Sequence, residues 1–113
     1  MRYISIVIAV MISVAAMAQD KNFHVYLCFG QSNMYGSAQI EEVDKQAPER
    51  LVMMASSSSR NSEREMGNWY PGTPPLSHPH AGLSPADYFG RAMVRELPDS
   101  VKVGLINVAI GGL

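Results

Sequence analysis

Apolar residues gather along the chain into blocks separated by polar or proline-rich stretches, and each block has its own periodicity. The first, Ile4 to Ala16, is nearly unbroken and follows a short positive start, Met1-Arg2. Ala16-Met17-Ala18 then supplies the small-x-small pattern that a signal peptidase reads. The run falls short of the ~18–20 residues that span a bilayer. The pattern predicts a signal peptide over 1–18 with cleavage after Ala18, a mature chain over 19–113, and a secreted or periplasmic location.

His24 to Phe29 is a β-rich run with two apolar faces, Val25, Leu27 and Phe29 on one and Tyr26 and Cys28 on the other. Such a run suits a central strand of a parallel sheet covered by helices on both sides. Leu51 to Ala55, "LVMMA", predicts a second strand. The serines at 56–59 and the charged "RNSERE" read as a solvated loop. "NWYPGTPPLSHPH" holds four prolines and reads as an extended, irregular surface segment.

Helical periodicity appears in "GLSPADYFGRAMVRELPDS". Ser84 suits the N-cap, Pro85 the first helical position, and Asp87 the first turn near the positive dipole end. Ala86, Phe89, Met93 and Leu97 recur at helical spacing as one apolar stripe, and Pro98 ends the helix. Gly90 inside it permits close packing on a sheet. Val101 to Ile110 is again β-branched and almost uncharged, ending at Gly111-Gly112. A capped helix followed by such a strand is half of a β-α-β unit. The fold class is therefore α/β, with loops meeting at the C-terminal ends of parallel strands, where such sheets bind ligands. Three strands and one or two helices do not cover both faces of that sheet, so the domain is expected to be incomplete at its C-terminal end.

Charge and cysteine content narrow the function classes. The chain of 113 residues has 9 basic and 10 acidic residues, for a net charge of −1. Loss of Arg2 with the leader takes this to −2. No Lys/Arg cluster appears, so nothing points to nucleic acid or to an anionic membrane surface. Cys28 is the only cysteine, which excludes an internal disulfide, and its apolar setting reads as core.

Against this background "FGQSNMYG", Phe29 to Gly36, is unusual. A serine where a strand gives way to a helix places its hydroxyl at the sheet's C-terminal edge. Its own N–H then lies among the unpaired donors of a helix start. Ser32 could attack a carbonyl while that N–H binds the resulting oxyanion. Gly30 would allow the tight bend and Gly36 later flexibility. Ser32 and Asn33 also suit simple helix capping, and local pattern by itself favours that reading over the nucleophile.

The same stretch resembles the first sequence block of SGNH-type hydrolases. It is most similar to the sialate O-acetylesterase and acetylxylan esterase branch, where Gly-Gln-Ser-Asn-Met replaces Gly-Asp-Ser-Leu. "GLSPADYFGRAM" resembles that branch's glycine block and following helix, and "VGLINVAIGG" its next strand and glycine turn. The three occur in the family's order, from about Phe23 to Gly112. The resemblance implies a three-layer α/β/α fold with a parallel, flavodoxin-like sheet. It also implies a serine esterase that removes O-acetyl groups from carbohydrate, with no metal or organic cofactor. Carried over by position, Ser32 is the nucleophile, and the N–H groups of Ser32 and Gly82 are oxyanion donors. Gln31 and Asn33 flank the serine and hold its loop, and Gly111 and Gly112 form the turn that lets substrate approach.

The branch's two later blocks, a Gln-Gly-Glu-type segment and an Asp-x-x-His, have no counterpart here. Of the histidines present, His24 reads as structural. His78 and His80, flanking Pro79, read as surface residues rather than a base, and two histidines alone do not make a zinc site. The chain as it stands is therefore expected to be inactive by itself. A rival expectation is a non-catalytic, secreted carbohydrate-binding fragment or pseudoenzyme, with Trp69, Tyr70 and Tyr88 stacking on sugars. Completion by a separate chain is a further one.

Overall fold

The computed structural model describes residues 20–58 and 63–110; the predicted leader and Gly111-Gly112 lie outside them. Four strands form one sheet: β1 (Phe23–Cys28), β2 (Leu51–Met54), β3 (Trp69–Pro71) and β4 (Lys102–Asn107), in the order β1-β4-β2-β3. β4 lies parallel between β1 and β2, with Val25 opposite Gly104 and Val52 opposite the same glycine. A four-residue helix α1 (Ser32–Tyr35) and a 3-10 turn (Glu42–Lys45) lie between β1 and β2, and α2 (Pro85–Glu96) precedes β4. The α/β class stands as expected and the strands form at the predicted runs, although β1 starts and ends one residue earlier than its run and β4 stops at Asn107. β1, expected to be a central strand, instead lies at the edge of the sheet among the described residues, and β4 takes the interior place.

The proline-rich segment differs from its expected form. Trp69-Tyr70-Pro71 pairs antiparallel with β2, so the sheet is mixed rather than parallel. Aromatic side chains favour strand geometry, and proline is tolerated because β3 is an edge. The chain beyond it then turns inward, burying Leu76 and Ser77 beneath the sheet's C-terminal end.

α2 is built as its sequence predicts. The Ser84 N–H donates to the Asp87 carboxylate at 2.9 Å and the Asp87 N–H returns to the Ser84 carbonyl at 3.1 Å. The buried side of the helix differs by about one position from the predicted stripe. Ala86, Gly90 and Val94 face inward, while Phe89 is pushed to the flank, where it meets Tyr26 edge-on at 5.2 Å. Gly90 is the cause. A Cβ there would lie 2.6 Å from Leu105 and 2.9 Å from Leu51, so the bare backbone sets the helix down on the sheet. Arg50 fixes the other end, donating to the carbonyls of Val94, Pro98 and Val101 at 2.7–2.8 Å.

The core lies on the α2 side: Cys28, Leu51, Met53, Val103 and Leu105 from the strands, with Ala86, Val94 and Leu76 against them. Burial raises the Cys28 thiol pKa, consistent with its core reading. The opposite face is not covered among the described residues. Val25, Leu27 and Phe29 are 47, 59 and 70% exposed, where a second helix layer was expected. Phe23 and Trp69 close over Gly104 on that side, edge to face at 5.1 Å.

Candidate active site

The serine turn begins where β1 runs out. Gln31 is the N-cap of α1 and its carbonyl accepts the Tyr35 N–H at 2.8 Å; no side-chain cap forms. Ser32 is thus the first helical residue and not a cap. Its hydroxyl is exposed and makes no hydrogen bond among the described residues. The strand end therefore presents the hydroxyl outward, with its backbone in the helix start.

Gly36 ends the turn with φ 101°, a conformation that favours glycine, and it is buried. A Cβ there would meet the Gly82 carbonyl oxygen at 2.7 Å. The Gly82 N–H donates to the Gly36 carbonyl at 2.8 Å, and Leu83 donates to Ala38 at 2.8 Å. Two expectations change accordingly. Gly36 is a rigid close-packed point rather than a source of flexibility. Gly82 stands beside the serine turn as its block predicts, but its N–H is already bound and not free for an oxyanion. Gly82 is needed instead because any Cβ would collide with the Ala38 carbonyl.

Two anchors went unread in the sequence. Asn107, at the end of β4, is fully buried; its Nδ2 donates to the Met34 carbonyl at 2.9 Å and its Oδ1 accepts the Ala109 N–H at 3.0 Å. The Ser77 hydroxyl donates to the Tyr35 carbonyl at 2.7 Å. Both bind carbonyls of α1, so the short helix is held from the sheet and from the proline-rich loop. An asparagine inside an apolar strand was the one available signal, since a buried amide requires partners.

A cleft runs from Ser32 along Gly36, Ala38, Gln39 and Gly82 to His78 and His80, with Ile110 at its edge. Both histidines therefore line the same cleft as Ser32; His80 is exposed, in keeping with its surface reading, and His78 is half-buried. The His78 ring stacks on Tyr35 at 6.2 Å, and His80 lies 5.3 Å from His78. Gln31 and Asn33 are exposed beside the turn and do not line the cleft. His24 is a β1 residue, as expected. Gly111 and Gly112 fall outside the described residues, directly after the cleft-lining Ile110.

The aromatic residues offered for sugar stacking have structural partners. Trp69 packs on Phe23, the Tyr70 hydroxyl accepts the Glu65 N–H at 2.7 Å, and the Tyr88 hydroxyl donates to Asp44 at 2.5 Å. None of the three lines the cleft beside Ser32.

A strand-end serine thus faces a cleft braced by paired glycines with its hydroxyl unengaged, and no base is hydrogen-bonded to it among the described residues. The family model for carbohydrate esterases described as sialic acid-specific acetylesterase matches residues 22–113, most of the chain. The chain belongs to this family of carbohydrate esterases.

Proposed function

We propose that the protein is an exported serine esterase that releases acetyl groups from O-acetylated carbohydrate, with Ser32 as nucleophile. The observation that carries this reading is the exposed, unengaged Ser32 hydroxyl at the head of α1, in a cleft shared with the Gly82 loop. In the reaction Ser32 Oγ attacks the acetyl carbonyl and the sugar oxygen departs with a proton. Water then cleaves the acetyl-enzyme and releases acetate. The Ser32 N–H has no acceptor among the described residues and is the first oxyanion donor. The Gly82 N–H could join it only by leaving the Gly36 carbonyl.

SGNH-type hydrolases carry their general base in an Asp-x-x-His segment, and residues 1–113 contain no such segment. Without a base, such sites keep only about 10³–10⁴-fold of acceleration over water. The decisive measurement is acetate release from acetylated xylan, O-acetyl sialic acid and 4-nitrophenyl acetate by a polypeptide that includes such a segment. Ser32→Ala is expected to lower kcat by at least about a thousandfold, and full retention of activity would remove Ser32 from the role.

A further inference from the structure

We propose that His78 is a substrate-binding residue of the ester cleft, its Nε2–H donating a hydrogen bond to an oxygen of the acetylated sugar beside Ser32. This rests on the esterase reading above and adds a specificity residue to it.

The first support is placement. His78 is half-buried and lines the same cleft as Ser32. Its loop cannot drift from the serine turn. The Ser77 hydroxyl binds the Tyr35 carbonyl at 2.7 Å, and the Gly82 N–H binds the Gly36 carbonyl at 2.8 Å. Between these anchors, residues 78–81 form a turn closed by the Ala81 N–H on the His78 carbonyl at 2.9 Å, with Pro79 at its favoured second position. The imidazole plane is set by stacking on Tyr35, 27° from parallel.

The second support is the tautomer. The His80 N–H donates to His78 Nδ1 at 3.2 Å, so Nδ1 must present its lone pair. In the neutral ring the proton then sits on Nε2. Nε2 makes no hydrogen bond among the described residues, which leaves a fixed donor available to a ligand.

The same arrangement argues against His78 as the missing base. A triad histidine needs an acceptor at one nitrogen and a lone pair at the other, facing the serine. His78 has the reverse polarity, with a donor at Nδ1. No carboxylate lines the cleft to turn it over; its titratable lining groups among the described residues are Tyr35, His78 and His80. A sugar bearing hydroxyl, ring and ester oxygens offers the acceptors that an Nε2–H requires, whereas a flat aryl acetate reaches Ser32 without them.

The test compares His78→Phe and His78→Gln in the polypeptide that carries out turnover, using an acetylated sugar and 4-nitrophenyl acetate. Phe keeps the stack on Tyr35 and loses the donor. It is expected to raise KM for the sugar about tenfold while leaving aryl acetate kcat/KM within about twofold. Gln returns a donor near the Nε2 position and is expected to bring the sugar KM back within about threefold of the parent. An unchanged sugar KM in the Phe variant overturns the proposal. So does an equal fall in kcat on both substrates, which would put His78 in the chemical step. A separate readout needs no turnover: ¹⁵N spectra of histidine-labelled protein titrated with an O-acetylated methyl glycoside. A neutral His78 protonated at Nε2 whose resonance moves on titration supports the assignment. An Nδ1-protonated ring, or no movement, overturns it. If Ser32→Ala removes no activity the esterase reading fails, and the spectra still decide the role of His78.

Discussion

Asn107 joins three parts of the molecule through one amide: β4 carries it, Met34 of α1 takes its N–H, and the loop after β4 supplies the Ala109 N–H. The serine turn has four residues of helix and buries none of them, so packing alone does not position it. Polar contacts do that work instead. Replacing Asn107 with Leu preserves volume but strands the Met34 carbonyl and the Ala109 N–H in a dry site. Each stranded group costs about 1–3 kcal/mol, so Asn107→Leu is expected to lower the unfolding free energy by about 2–4 kcal/mol in urea titrations. A loss under about 0.5 kcal/mol would mean that water reaches these groups. Ser32 was legible because a serine at a strand end is unusual, and the two glycine blocks were legible as letters. The Gly36–Gly82 contact was not: a glycine's sequence reports that no side chain is wanted, not which backbone passes there.

Between α2 and the 3-10 turn lies a charged cluster whose members oppose one another. The hydrogen bond from Tyr88, aided by the Glu41 N–H and the nearby Arg91, holds the Asp44 carboxyl below its ordinary value. The Arg91 guanidinium also donates to the Asp44 carbonyl and lies 4.6 Å over the Tyr88 ring. Asp87, fully buried, is pushed up by desolvation despite its bonds from Ser84. The signs follow from linkage. Asp44 has a folded pKa below its unfolded one. Its contribution is present above the ordinary carboxylate value of 3.8 and is lost as pH falls through the depressed value. Asp87 runs the other way: its contribution is present below that value and lost as pH rises through the raised one. Asp44→Asn is therefore expected to lower Tm at pH 7, with the gap to the parent closing as pH drops below about 3.8. Thermal melts between pH 7 and 2.5 would read this, and a constant gap across that range would assign the effect to packing. Asp87→Asn is expected to tilt the acid limb in the opposite sense.

Among the described residues, burial is one-sided. Leu105 and Val103 are fully enclosed between β1, β2 and α2, while Leu27 on the other face is 59% exposed. Truncating a buried leucine costs about 2–5 kcal/mol through lost transfer and the cavity left behind. Leu105→Ala is expected to fall in that range and Leu27→Ala below about 1 kcal/mol, measured as paired urea midpoints. Comparable losses at the two sites would show that the open face is covered in solution. The apolar character of both faces of β1 was plain in the sequence, but alternation alone does not say which face finds a partner. Likewise the proline-rich segment read as surface because prolines break ladders. It became an edge strand and part of the core because β2 had a free edge and Leu76 had a hole to fill.

What the sequence determined by itself was local: the three strands of the parallel set, the capped helix from Pro85, the core cysteine and the serine at the end of β1. These depend on neighbours within a few residues, through β-propensity, helix capping and hydrophobic period. Only the tertiary structure decided what depends on chain segments far apart. It spent the Gly82 N–H on Gly36, rotated α2 about Gly90, and set Asn107 under the serine turn. It also brought His78 and His80 into the cleft of Ser32, across more than forty residues of chain. Backbone hydrogen bonds and steric contacts at ångström range made those choices, and no pattern of residue types along one chain encodes them directly.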